Sequence, residues 1–409
     1  MIAPQWPLGM TNRRNLAILF LTLVVVMLGF GIIIPILPFY VEAFGGGGFE
    51  MGMLMSIFSL MQLVFSPLWG ALSDRVGRKP LLMVGTMGTA IGMVALAYAQ
   101  AYAGLFAARM FMGIVGSATL PSGLAYISDS TDERDRGGGM GMWGAAFGLG
   151  MMLGPGIGGA LSAISLQAPF LFAAGAALLA TLLIWWILPE SLPHELRSTA
   201  TQGRAGFQPR QLAAALSGPI GFLLVLAFLQ NFALANFEGM YAFYAQRRYE
   251  FNPPTIGLII ALVGGVGAAV QGVLTGPATR SYGDGRVIKA SLAASVFGFL
   301  AMVLAPNLAW VLVTTGFFVL SVSMLRPGVA SLTSKRTTLA QGATMGLSNA
   351  AMSLGRIVGP LWAGVAMDLD IHLPFLGGAG VMLIAFVATM HFLPQEGPLP
   401  HDAGKAVAD

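Results

Sequence analysis

Twelve long apolar runs constrain this 409-residue chain more than any other feature. A helix needs about 20 apolar residues to cross roughly 30 Å of hydrocarbon. Runs of that length fall at 16–40, 50–71, 80–100, 102–127, 138–162 and 168–188, and again at 217–245, 255–277, 286–306, 308–331, 341–366 and 373–393. A polar stretch from Pro189 to Arg210, holding Glu190, His194, Glu195, Arg197 and Arg204, parts the two sets. The expected architecture is an all-α membrane protein of twelve transmembrane helices. They form two pseudo-symmetric six-helix bundles, residues 1–188 and 217–409, joined by a cytoplasmic central loop at 189–216, with a short tail after the last span.

Composition narrows the partners. Hydrophobic residues make up 56% and charged residues 9%, against about 25% charged in soluble domains. The absence of cysteine excludes a disulfide scaffold, a thiolate metal site and a cysteine nucleophile. A net charge of +4 does not point to nucleic acid, because the bases are scattered over short loops. They read instead as topology signals. With the N-terminus inside, sixteen Lys and Arg fall on cytoplasmic segments and only Arg247 and Arg248 outside, so both termini are expected in the cytoplasm. Arg13-Arg14 ahead of an apolar run resembles a signal peptide, but the run continues to Pro38 without a cleavage site and reads as a retained span.

The halves repeat. Met140 to Gly159 and Met345 to Gly364 align at a constant offset of 205, with nine of twenty positions identical, among them Gly150/Gly355 and Gly154-Pro155/Gly359-Pro360. A weaker echo pairs Gly70 with Gly276 and Gly77 with Gly283, a decayed copy carrying Arg280, Asp284 and Arg286. Two duplicated six-span halves are a transporter architecture, with substrate held near the midplane.

Gly70-Ala71-Leu72-Ser73-Asp74-Arg75-Val76-Gly77-Arg78-Lys79-Pro80 is an island of charge between spans two and three. It resembles the signature loop of the major facilitator superfamily. Leu105, Arg109, Gly113 and Gly116 are similar to that family's proton-linked arginine motif, and Gly150, Gly154, Pro155, Gly158 and Gly159 to its antiporter motif. Gly29 to Pro38 resembles the span-one motif of its twelve-span drug:proton antiporters, the tetracycline and multidrug exporter group. The resemblance implies a gate built from Gly70, Asp74, Arg75, Gly77, Arg78, Lys79 and Asp129, in which Asp74 latches onto the start of span eleven near Gln341 to Met345. It also ties Arg109 to proton coupling. Gly154 to Gly159 fits a dinucleotide fingerprint as well, but that motif needs a strand and a helix in a βαβ unit, whereas this one lies inside an apolar span.

Ionisable residues inside spans mark coupling sites. Glu238 is the acid expected to load and release a proton, the alternative being an outer-end charge paired with Arg247 or Arg248. Arg326 and Arg356 are expected to face it and hint at an anionic or zwitterionic substrate, unless they lie near the cytoplasmic interface. Gln62, Asn231, Asn236, Phe237, Tyr241 and Asn349 complete the expected substrate lining. The whole reads as a proton-coupled exporter of lipophilic small molecules, monomeric, in the inner membrane, without cofactor or metal. The alternative is an exporter of a specific metabolite, sugar or lipid. An enzyme is not expected, since no acid pair or Ser/Lys dyad lies at midplane.

Overall fold

The computed structural model describes residues 10–131, 136–193, 195, 197, 209–337, 339 and 341–393. Arg134, His194, Arg204 and Lys405, which entered the topology above, lie outside the described residues. Among the described residues, twelve helices are long and apolar enough to cross a membrane. In chain order they are α1 (Arg14–Ile33), α2 (Gly48–Val76), α3 (Arg78–Ala97), α4 (Tyr102–Ser130), α5 (Gly141–Ser162), α6 (Ala168–Ile187), α7 (Gly221–Tyr249), α8 (Pro253–Tyr282), α9 (Asp284–Leu304), α10 (Leu308–Arg336), α11 (Gly342–Leu369) and α12 (Leu373–Phe392). No strand occurs among the described residues.

Local chemistry explains where the helices stop. The first run does not continue as one helix to residue 40. It breaks at a turn over Ile34–Ile36 and restarts as a short helix, Leu37–Ala43. Pro35 lacks the N–H that would continue the ladder, whereas Pro38 sits in the first turn of the new helix, where no such bond is needed. The charged island is not an open loop either. Helix α2 runs to Val76 and α3 starts at Arg78, so Gly77 alone makes the turn, at a φ of +119° open to glycine. Gly283 does the same between α8 and α9 at a φ of +80°.

Two compact units organise the chain. The first gathers Met1–Gly45, Ile57–Phe207 and Phe251–Ala261, and the second Gly46–Ser56, Gln208–Glu250 and Leu262–Asp409. The first eleven-residue stretches around the starts of α2 and α8 therefore cross the boundary expected at 189–216. In the first unit, Leu19, Leu23, Leu82, Tyr126, Ile127 and Ile184 form a buried apolar cluster.

Small residues set the helix spacing. On α5, Gly150, Gly154 and Gly158 fall one turn apart and lie against the α1 backbone. A Cβ at Gly154 would sit 2.6 Å from the Leu28 carbonyl oxygen, and one at Gly158 2.9 Å from that of Ile32. The repeat places Gly355 and Gly359 of α11 on α7 in the same way, each Cβ 2.5 Å from a carbonyl oxygen, of Phe228 and Phe232. Such contacts let helices associate in lipid, where no hydrophobic gradient drives them together. Gly159 then abuts Pro253 and Gly257 of α8, and its counterpart Gly364 abuts Gly48 and Phe49 of α2. The duplicated register is thus a duplicated packing rule.

Gly154→Val should overpack the α5–α1 contact by roughly 1–3 kcal/mol, lowering the thermal midpoint in detergent. Gly144→Val, on the same helix with nothing within 4 Å of its Cβ, should leave the midpoint unchanged.

Candidate functional site

The Gly77 turn places three charged side chains in one network. Arg78, first residue of α3, donates from NH1 to Asp74 Oδ1 at 2.5 Å and from Nε to Asp129 Oδ2 at 3.0 Å, with Ser73 at 3.3 Å. The Arg78 guanidinium donates to both Asp129 and Asp74, so one base joins the two acids. Glu190, from the segment after α6, accepts from the backbone N–H groups of Arg78 at 2.8 Å and Lys79 at 3.2 Å, capping α3 where its dipole is positive. A side chain at position 77 would collide with that carboxylate. Lys79 Nζ donates to the Trp185 carbonyl at 2.8 Å, while Arg75 points outward, exposed. Gly70 keeps α2 near Pro121 of α4.

The second-half counterpart is not a decayed copy. At an offset of 206, Asp74, Arg78 and Asp129 map onto Arg280, Asp284 and Lys335, with every charge reversed. Asp284 is buried and accepts from Lys335 Nζ at 2.7 Å and Ser331 Oγ at 2.8 Å, just as Arg78 ties α3 to α4. The Asp284–Lys335 pair forms with the signs swapped, whereas Arg280 Nε donates to the Gly276 carbonyl one turn back at 3.4 Å.

At the other end of α2, the Asp368 carboxylate on the last turn of α11 accepts from the Gly48 N–H at 2.6 Å and the Phe49 N–H at 2.8 Å. An acid there opposes the dipole of its own helix but suits the N-terminus of another. Nearby, Arg248 donates to Tyr244 Oη at 2.6 Å and meets His372 Nε2 at 2.5 Å, while His372 Nδ1 lies 3.1 Å from Asp370. The backbone N–H and ring of His372 hold the Asp370 carboxyl below its ordinary range.

Arg109 does not snorkel. It is 1% exposed, and its guanidinium lies over the Phe58 ring, 4.6 Å from the centroid. Gly113, one turn on, lets the Phe58 backbone approach.

Inside the second unit, α7, α10 and α11 bring Glu238, Arg326 and Arg356 into electrostatic reach of one another. Packing fixes their levels. Phe237 stacks on Phe318 with centroids 5.0 Å apart, and Thr315 Oγ1 donates to Tyr241 Oη at 3.5 Å, so α10 runs antiparallel to α7. Arg326, eight residues past Phe318, then lies level with Leu229, and Gly355 against Phe228 to Phe232 sets Arg356 at that same height. Glu238 stands roughly 13 Å further along α7 at 1.5 Å per residue. Arg326 is exposed, and Glu238 and Arg356 are half-buried. Charges this far inside a span do not face lipid without large cost.

The rest of the expected lining divides. Asn231, Asn236, Phe237 and Tyr241 are buried in packing instead. Asn231 bonds back to the Ala227 carbonyl at 3.0 Å and Asn236 reaches the Pro374 carbonyl of α12 at 2.6 Å. Their amide N–H groups are used within the bundle, which the sequence could not reveal, while Asn236 Oδ1 is buried without a partner. Gln62 is half-buried on α2, and Asn349 is exposed on α11.

Twelve spans in duplicated halves, a glycine-linked charge network and ionisable groups well inside the spans define a secondary transporter. The chain belongs to the Major Facilitator Superfamily, which matches residues 19–337 and 223–408. It is 30% identical to Multidrug resistance protein 2 of Bacillus subtilis over 386 residues, 93% of this chain and 96% of the relative. Quinolone resistance protein NorA of Staphylococcus aureus is 27% identical over 380 residues, covering 92% of this chain and 96% of that protein. The human organic anion transporter MFSD10 (TETRAN) superposes with a TM-score of 0.67 at 25% identity, over 94% of this chain and all of that one.

Asp284→Asn should lower thermal stability more than Asp74→Asn. The Asp284 side chain is 5% exposed although its partner Lys335 is 68% exposed, whereas Asp74 is 55% exposed and its partner Arg78 keeps Asp129, so the first substitution alters a buried acceptor, at about 1–3 kcal/mol, and the second an exposed pair worth about 0–1 kcal/mol. Detergent melting curves of the two variants test this order. Asp368→Ala should likewise cost about 1 kcal/mol or more by uncapping α2.

Proposed function

We propose that this protein is a proton-coupled exporter of lipophilic small molecules of the drug type, working by alternating access. The observation that carries the proposal is Glu238, the one acid among the described residues set well inside a span, half-buried and within electrostatic reach of Arg326 and Arg356. An anionic Glu238 holds a cationic substrate, and a proton from outside displaces it, so proton and substrate compete for one carboxylate. Exchange follows from that competition. Arg109 tunes proton movement in the first half, with Gly150, Gly154, Pro155, Gly158 and Gly159 keeping α5 against α1. Asp74 acts as the gate carboxylate, exchanging its Arg78 partner during the cycle, with Gly70, Arg75, Gly77, Lys79 and Asp129 shaping the same gate. The multidrug and quinolone resistance names of the relatives support drugs as the substrate class.

The chain works as a monomer in the inner membrane with both termini cytoplasmic, the topology supported by its Lys and Arg distribution. Export of one metabolite, sugar or lipid is the competing assignment on the same scaffold, and it differs in the breadth of compounds carried.

Proteoliposomes under an imposed pH gradient test the coupling. Wild-type protein should accumulate a lipophilic dye only while the gradient lasts. Glu238→Gln should abolish gradient-driven accumulation while leaving dye binding detectable. Undiminished accumulation by that variant, or gradient-independent uphill flux in the wild type, would sink the proposal.

A further inference from the structure

Deepening that assignment, and resting on it, we infer that Asp368 is a positioning residue for transport: it fastens the outer ends of α2 and α11 together as a releasable catch, and its loss shifts the protein toward outward opening. An exporter releases substrate outside only after helices part at that end. The start of α2 lies along α11 in one seam. A Cβ at Gly48 would sit 2.6 Å from the Gly364 carbonyl oxygen, one at Gly52 would collide with the Pro360 carbonyl, and Ser56 Oγ donates to the Ile357 carbonyl at 2.6 Å. Asp368 closes the outer end of this seam through the N–H groups of Gly48 and Phe49, while Glu50 of α2 itself accepts from the Gly47 N–H at 2.7 Å.

The duplicate of this seam packs without the acid. At the offset of 205, Gly48 and Phe49 become Pro253 and Pro254, and Asp368 becomes Ala163. Both prolines lack the N–H that a carboxylate would accept, so donors and acceptor are missing together. Gly159 still meets Pro253 and Gly257 backbone to backbone. The α2–α11 seam therefore carries two charge-assisted hydrogen bonds that close packing does not require. Helix α8 is capped from its own chain instead, by Asn252 Oδ1 on the Thr255 N–H at 3.0 Å. A cap from the same chain travels with its helix, whereas a cap from another helix has to let go when the two part. Asp368 is exposed, so water takes over its carboxylate on release and no charge is stranded.

The chain has no cysteine, so a single introduced thiol reports on the seam. Ser56→Cys places it beneath the catch at a position 4% exposed, and Ser295→Cys, on α9 at 0%, is a buried reference away from the seam. Labelling rates with a charged maleimide are measured on the purified full-length protein in detergent. Asp368→Asn puts an N–H donor where one carboxylate oxygen accepted. It should raise the Ser56→Cys rate about threefold to tenfold, the return expected from one lost capping bond, and leave the Ser295→Cys rate unchanged. Asp368→Glu, which keeps the charge, should fall between the wild type and Asp368→Asn. An unchanged Ser56→Cys rate in Asp368→Asn overturns the catch. So does an equal rise at Ser295→Cys, because the acid would then hold the fold and not the seam. Gradient-driven dye uptake by the wild type in proteoliposomes reports the exporter assignment separately. Its absence with the labelling difference intact would refute export and not the catch.

Discussion

Backbone-to-backbone contact through glycine is the constraint on which the rest of this structure depends. Helices in lipid gain no hydrophobic free energy by meeting, so they associate where their backbones approach closely enough for dispersion to accumulate. Gly150, Gly154 and Gly158 provide that approach for α5 on α1, and Gly355 and Gly359 for α11 on α7. Everything polar is registered by these contacts. The height of Arg356 relative to Glu238 follows from Gly355 lying on Phe228 to Phe232, and the Asp368 cap follows from Gly364 touching Gly48.

Charge is then used in three different ways. At the Gly77 and Gly283 turns, ion pairs tie adjacent helices and are satisfied locally, with Arg78 between two acids and Asp284 beside Lys335. At helix N-termini, Glu190 and Asp368 accept backbone N–H groups and need no base. Inside the second bundle, Glu238, Arg326 and Arg356 interact electrostatically across three helices.

The twelve spans were legible because hydropathy acts over twenty residues and lipid leaves the backbone no alternative to helix. The α5 and α11 packing was legible for a similar reason, since glycine spacing repeats with the helical turn. Contacts between residues far apart in the chain were not. Nothing near Glu190 announces Arg78, and nothing near Asp368 announces Gly48. The one hint was an acid on the closing turn of α11, which its own dipole disfavours. The charge-reversed Asp284–Lys335 pair is not legible by identity, because sign reversal preserves attraction while destroying identity. The carbonyl partners of Asn231 and Asn236 were not legible either, because an amide inside a span satisfies a carbonyl as readily as a substrate.

The central claim is that one carboxylate, Glu238, is shared in turn by proton and substrate. The most direct measurement is proton release when tetraphenylphosphonium, a lipophilic cation, is added to the detergent-purified protein in weakly buffered solution with a pH-indicator dye. The account predicts release approaching about one proton per cation bound at a pH where the free acid is protonated, and none from Glu238→Gln. Binding without proton release by the wild type, or equal release by the variant, would contradict it.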